Sequence, residues 1–210
     1  MIIEPTPNDD VTDPSVDALI ASRICHDLIN PIGAIGNGLE LLTLSGKGAG
    51  PELDLIGESV ARAQARIRFF RIAFGEFDAA RRINPVEVRS ILNALFAGTR
   101  ISMDWQIASD LPRREAKLCF LLLLCMETAL PRGGIVTASE GGDGWTLIAQ
   151  AERLHVDPTV WNGLSCGQIN VELTPTLVPF ALAARHSQMI GARITVDTCS
   201  DSIAIAFSLA

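Results

Sequence analysis

Two runs of apolar residues at helical spacing, separated by one glycine-rich turn, constrain this chain more than any other feature. In the first run Ile20, Ile24, Leu28, Ile32, Ile35, Leu39 and Leu42 recur at intervals of three and four, which lays one continuous apolar stripe along a helix. In the second, Ile56, Val60, Ala63, Ile67, Phe70, Phe74 and Phe77 alternate four and three, a heptad seam. Between them Gly46-Lys47-Gly48-Ala49-Gly50-Pro51 predicts a tight turn. Asp13 as N-cap and Pro14 in the first helical position predict where helix one begins. It runs to about Ser45, and helix two runs from Pro51 to about Ala80. Helices of about thirty residues are about 45 Å long, and a short turn folds the pair into an antiparallel hairpin. A lone hairpin with such seams leaves apolar surface in water. It is expected to pair with a second copy as a homodimeric four-helix bundle; the alternative is that the C-terminal half covers the seam.

The pattern changes at Asn84-Pro85. A helix is expected at 86–97, a strand at 100–107 and a buried helix at 113–130, ended by Pro131-Arg132-Gly133-Gly134. Strands follow at 135–139 and 145–151 around the turn Gly141-Gly142-Asp143-Gly144, then a polar stretch, a helix at 176–190, and strands at 193–197 and 202–208. The fold class expected is α+β. Residues 1–12 are expected to form a disordered lead-in, 13–82 the hairpin, and 83–210 a sheet with helices on one face.

Composition excludes several functions. The chain has 210 residues, 48% of them hydrophobic and 20% charged, with mean hydropathy +0.30, which is a globular composition. Lys and Arg number 17 against 24 Asp and Glu, net −7, the wrong balance for binding nucleic acid. The longest apolar run, 118–126, is under half the ~20 residues that cross a bilayer, so no membrane association is expected. The acidic, proline-containing N-terminus has no basic region typical of a signal peptide, and a cytoplasmic location is expected. Five cysteines without CxxC spacing and three scattered histidines offer no metal-ligand pattern.

One stripe of helix one is not explained by packing. Arg23, His26, Asn30, Gly33 and Asn37 recur at three and four, nearly opposite the apolar stripe. Pro31, four residues after Asp27, removes a backbone donor and is expected to kink the helix. Gly33, Gly36 and Gly38 keep the adjoining surface low. A neutral imidazole on a wet face is a competent nucleophile toward phosphorus. Asp27 beside it can hold the N–H on one ring nitrogen and leave the other free. Asn30, one turn on, can hydrogen-bond a phosphoryl oxygen. A surface histidine can equally be a plain polar residue. Arg62, Arg66 and Arg68 on helix two either face an acidic partner or form a solvated charged face.

The segment Ser22-Arg23-Ile24-Cys25-His26-Asp27-Leu28-Ile29-Asn30-Pro31-Ile32 resembles the phospho-acceptor box of bacterial sensor histidine kinases. The hairpin resembles their dimerisation and phosphotransfer domain, and residues 121–134 resemble the kinase helix that ends in a Thr-Pro-x-Gly-Gly turn. The likeness departs where ATP would bind. Leu121 and Cys125 stand where kinases carry Mg-binding asparagines, and no Asp-x-Gly-x-Gly loop follows the 145–151 strand. Nor does a second glycine-rich lid precede 181–190. Glu127 is either a relic of an ATPase base or a helix-end carboxylate.

A retained acceptor helix with an emptied kinase-like domain is similar to the ChpT-type histidine phosphotransferases, over about residues 15–210. The stretches Arg71-Ile72-Ala73-Phe74-Gly75 and Asp104-Trp105-Gln106-Ile107 resemble that family as well. The resemblance implies a long helical hairpin in a dimeric four-helix bundle, followed by a degenerate histidine-kinase ATPase-like α/β sandwich. It implies phosphoryl transfer through His26, with Asp27 and Asn30 assisting, in a relay of bacterial cell-cycle control. Arg23, Gly33, Asn37, Arg62 and Arg66 would contact the partners. These would be the receiver domain of a CckA-like hybrid kinase and response regulators similar to CtrA and CpdR. No cofactor would reside in this chain: Mg2+ would come with the receiver, and ATP is not expected. A dimeric scaffold that binds receivers without accepting phosphoryl, or an ATP-using kinase, would be the other readings.

Overall fold

The computed structural model describes residues 15–45, 50–76, 80–141 and 144–209. The expected lead-in, the Asp13-Pro14 helix start, residues 46–49 of the first turn, Phe77, and Gly142 and Asp143 of the second turn lie outside the described residues. Within them helix α1 spans Val16–Ser45. Its start is capped by Ser15, whose hydroxyl accepts the Ala18 N–H at 3.2 Å, satisfying one of the first-turn donors. The helix continues through Pro31.

Helix α2 spans Pro51–Ala73, shorter than its seam implies. Phe74 closes it through an N–H bond to the Phe70 carbonyl. Lys117 Nζ donates to the Gly75 carbonyl at 2.7 Å and the Phe74 carbonyl at 3.4 Å, which ties down the chain just past the helix end. Asp27 of α1 meets Arg66 of α2, while Ala34 and Ser59 line one cleft. The two helices therefore run antiparallel.

Helix α3, Pro85–Phe96, follows from its sequence signals: Asn84 Oδ1 accepts the Glu87 N–H, and Val88, Ile91, Leu92, Leu95 and Phe96 form its buried face. Strand β1 (Arg82–Ile83) pairs antiparallel with β3 (Leu111–Pro112). A five-stranded sheet contains β2 (Ile101–Trp105), β4 (Gly134–Gly141), β5 (Gly144–Gln150), β6 (Ala192–Thr198) and β7 (Ser202–Leu209). Its order is β2-β4-β5-β7-β6. Only the β2–β4 pair among these is parallel, and helix α4 (Arg113–Ala129) lies on the crossover between them. Trp145, Leu147 and Ala149 of β5 and Ile203, Ile205 and Phe207 of β7 alternate inward, the period-two pattern of a sheet with one covered face. Gly133 turns the chain from α4 into β4 at φ +94°, and a Cβ there would collide with the Arg100 carbonyl.

Two further helices complete the layer over the sheet. Helix α6 is Val178–Ile190. Helix α5, Pro158–Cys166, occupies the segment expected as a polar stretch, with Asp157 as N-cap and left-handed Gly167 as C-cap. Its Trp161 meets Phe180 of α6 edge-on at 5.0 Å between ring centroids. The core is contiguous with α2: Ala65, Phe69, Ile72 and Ala73 belong to it, and Phe69 lies 4.6 Å from Phe120 of α4, centroid to centroid. Helix α2 thus faces α1 on one side and the sheet domain on another. The seam residues Val60 and Ile67 remain 36% and 47% exposed. Among the described residues, no helix is long and apolar enough to cross a membrane.

Candidate functional site

His26 projects from the middle of α1 with its side chain 77% exposed. Its Nδ1 lies 3.1 Å from Asp27 Oδ1. Because a carboxylate can only accept, in the neutral ring this contact places the proton on Nδ1 and leaves Nε2 as a free lone pair in open solvent. Asp27 itself is only 9% exposed. Its second oxygen, Oδ2, accepts from Arg23 Nε at 3.2 Å and lies 3.8 Å from Arg66 Nη1. Both arginines also reach Glu127 of α4. Arg66 Nη1 donates to its two oxygens at 3.2 and 3.4 Å, and Arg23 Nη2 lies 3.7 Å away. The Arg66 guanidinium is held further by the Phe70 ring, 5.8 Å from its centroid.

The expected wet stripe is therefore only partly wet. Asn30, Gly33 and Asn37 are exposed as their spacing implies, and a Cβ on Gly33 would meet nothing within 4 Å. Arg23 departs from it: its side chain is 12% exposed and bends inward along its aliphatic stem to the carboxylates. Arg66, 20% exposed, does the same from α2. Arg62 Nη2 donates to the Ala97 carbonyl at the end of α3, so it is tied to the second domain; Arg68 is exposed. Asp27, Asn30, Pro31, Arg62 and Arg66 line a cleft of about 250 Å3 between the helices. Pro31, lacking an N–H, withholds the helical donor from the Asp27 carbonyl at that cleft.

Glu127 stands in the last turn of α4, the helix-end position expected for it, with a further role there. It is 15% exposed and bridges arginines from two helices. Its separation of 61 residues from Arg66 put this pairing beyond any spacing argument. The available signal was a carboxylate directly after the apolar run 118–126, which is rarely buried without a cation.

The second domain offers little chemistry. Leu121 and Cys125 are fully buried, and burial pushes the Cys125 thiol well above its ordinary pKa, with nearby Arg23 opposing, so it is inert as a nucleophile. His186 is buried and donates from Nε2 to the Arg114 carbonyl at 2.8 Å. Burial lowers its pKa, the backbone bond to Arg114 opposes this, and Lys117 adds to the lowering. His155 is exposed.

Comparison with known proteins gives consistent matches. Residues 85–202 match the family described as histidine phosphotransferase C-terminal domain. Over 147 residues the chain is 40% identical to the protein phosphotransferase ChpT of Brucella abortus (strain 2308), covering 67% of this chain and 70% of that one. The solved structure of a bacterial phosphotransferase superposes with a TM-score of 0.74 at 28% identity, covering 98% of each chain. The family match begins at residue 85 and so does not include His26.

Proposed function

Since this chain belongs to the ChpT-type histidine phosphotransferases, we propose that His26 is the residue that carries the phosphoryl group between receiver domains of a phosphorelay. The observation that carries this reading is the exposed imidazole whose Nδ1 is tied to Asp27 at 3.1 Å. Nε2 attacks the phosphorus of a receiver's aspartyl phosphate in line. The P–N bond forms as the P–O bond to the aspartate breaks, and the receiver's carboxylate leaves. The resulting phosphoimidazolium keeps its proton on Nδ1, where Asp27 Oδ1 stabilises the charge. Transfer to a second receiver reverses these bond changes. Asn30, exposed one turn along, is placed to hydrogen-bond the transferring group.

Charge on the moving phosphoryl group is offset by Mg2+ in the receiver's own acidic pocket, so this chain contributes positioning. The buried apolar side chains Leu121 and Cys125 support a domain that binds no ATP. The exposed apolar residues Ile29, Ile32, Leu39, Leu41, Leu53, Leu55, Val60 and Ile67 support a homodimer in which two hairpins pair as a four-helix bundle. The exposed surface at Asn30, Gly33 and Asn37 receives the partner: the receiver of a CckA-like hybrid kinase upstream, and CtrA-like and CpdR-like regulators downstream.

The test is transfer of labelled phosphoryl from a phosphorylated receiver domain to the wild type and to His26→Ala. Acid-labile, alkali-stable label on the wild type alone is the expected result. Label on neither protein, with receiver binding retained, would reduce the chain to a scaffold.

A further inference from the structure

Within the described residues, the carboxylate beside His26 is held by a chain of charges that begins in the other domain. Asp27 divides its oxygens: Oδ1 faces the imidazole at 3.1 Å, and Oδ2 faces Arg23 at 3.2 Å and Arg66 at 3.8 Å. Each guanidinium continues to Glu127, at 3.7 Å from Arg23 and 3.2 Å from Arg66. Glu127 therefore reaches the acceptor histidine through two parallel routes, one along α1 and one along α2. The four charged side chains are 9–20% exposed, while the histidine they lead to is 77% exposed. They sum to zero charge, so each partly buried ion has an opposite charge beside it.

Ion pairs of this kind are weak evidence for stability, because desolvation opposes the Coulomb attraction. Their geometric effect is more specific. An aspartate alone on a helix surface rotates about χ2 and offers either oxygen, or neither, to its neighbour. With Oδ2 held by two guanidinium groups, rotation is restricted and Oδ1 is presented to the ring. Without Glu127, both arginines would be left with Asp27 as their only carboxylate in the cluster. They would then compete with the histidine N–H for it.

We propose that Glu127 is a positioning residue for phosphotransfer: through Arg23 and Arg66 it fixes Asp27, and thereby the tautomer and orientation of His26. The kinase-like domain then has a function that requires no nucleotide, which is to set the acceptor. This rests on His26 being the phosphoryl carrier, but its physical content is a hydrogen-bond geometry that can be read without any transfer.

The test uses the full-length chain with 15N-labelled histidine, and assigns the His26 ring nitrogens by their loss in His26→Gln. In the wild type, long-range 1H–15N spectra at a pH where the ring is neutral should show the proton on Nδ1. In Glu127→Gln, which keeps size and shape, that preference should be lost. The rate at which phosphoramidate, a small donor needing no partner docking, loads His26 should fall roughly 5- to 20-fold, in the range of a lost positioning contact. Asp27→Asn should match this loss, and adding Glu127→Gln to it should change nothing further, because the two act in series. Thermal melting of each variant separates this from unfolding. A Glu127→Gln protein that melts earlier but keeps the wild-type tautomer would make the clamp a mere strap between domains and overturn the proposal. So would additive losses in the double variant. If phosphoramidate loads no variant, the wild type included, the carrier reading fails, and the tautomer spectra still decide the proposal.

Discussion

Along α4, residues 118–126 are at most 2% exposed, whereas α1 leaves Ile29, Ile32, Leu39 and Leu41 between 49% and 65% exposed. The sheet domain uses its apolar residues to close its own core, and the hairpin gives that core one side of α2, through Phe69 and Ile72, with Ile24 of α1 packed against it. Chemistry is distributed the opposite way. The exposed hairpin carries the imidazole, and the closed domain buries Leu121 and Cys125 completely. Helices over a sheet are stable through burial alone, and such a domain needs no reactive side chain to stand. A surface that transfers a group between proteins must leave its contacts unmade.

The largest test of this contrast sets a buried side chain against an exposed one. Phe69→Ala removes a fully buried ring packed on Phe120, and should destabilise the fold by about 3–5 kcal/mol in denaturant titration. Ile32→Ala, at a residue 58% exposed, should leave unfolding of the single chain nearly unchanged. Its effect should appear in sedimentation equilibrium instead, as weaker self-association. Equal losses of fold stability at the two sites would erase the distinction between the halves.

A polar residue placed inside the closed domain sharpens the contrast from the other side. Cys125→Asn puts an amide into a site with 0% exposure, and a buried amide without partners costs about 1–3 kcal/mol. The expected outcome is a lower melting temperature with no rise on adding ATP and Mg2+, in the variant or the wild type. A nucleotide-dependent rise in the wild type would mean that the domain still binds ATP.

How much of this was legible in sequence depended on the range of each interaction. Helix α3 was legible because Asn84-Pro85 and its apolar stripe are local signals that agree. Helix α5 begins with the same kind of signal, Asp157-Pro158, but its buried face is only Val160, Trp161 and Leu164, too short to show a period against polar neighbours. The two-residue strands β1 and β3 carry no pattern at all. At the site, His26, Asp27, Asn30 and Gly33 could be placed on one helix from spacing alone. The inward turn of Arg23 and Arg66 could not, since it depends on Glu127 from a distant segment.

A smaller effect concerns pH. His186, buried under α4, is held below its ordinary value of 6.5 chiefly by desolvation, with the Arg114 carbonyl opposing and Lys117 reinforcing. Below 6.5 the unfolded chain takes up a proton that the folded chain still refuses. Stability therefore falls as pH drops through this range, and levels off once the folded histidine is also protonated. His186→Gln should flatten that acid limb in melting curves recorded against pH. An unchanged slope would assign the limb to other groups.

A small change in stability, in the favourable direction, is expected at Gly33, and it separates folding from docking most cleanly. A methyl group there meets nothing within 4 Å, and alanine is favoured over glycine inside a helix by about 0.5–1 kcal/mol. Gly33→Ala should therefore raise the denaturation midpoint slightly. If the exposed face around His26 is where a receiver backbone approaches, the same methyl should raise the KM for phosphotransfer while leaving loading by phosphoramidate unchanged. A variant more stable and equally fast with both donors would move the docking surface away from Gly33. A variant slow with both would place the defect at His26 rather than in docking. Only the split between the protein donor and the small one shows that this glycine is kept for a partner, against the preference of its own helix.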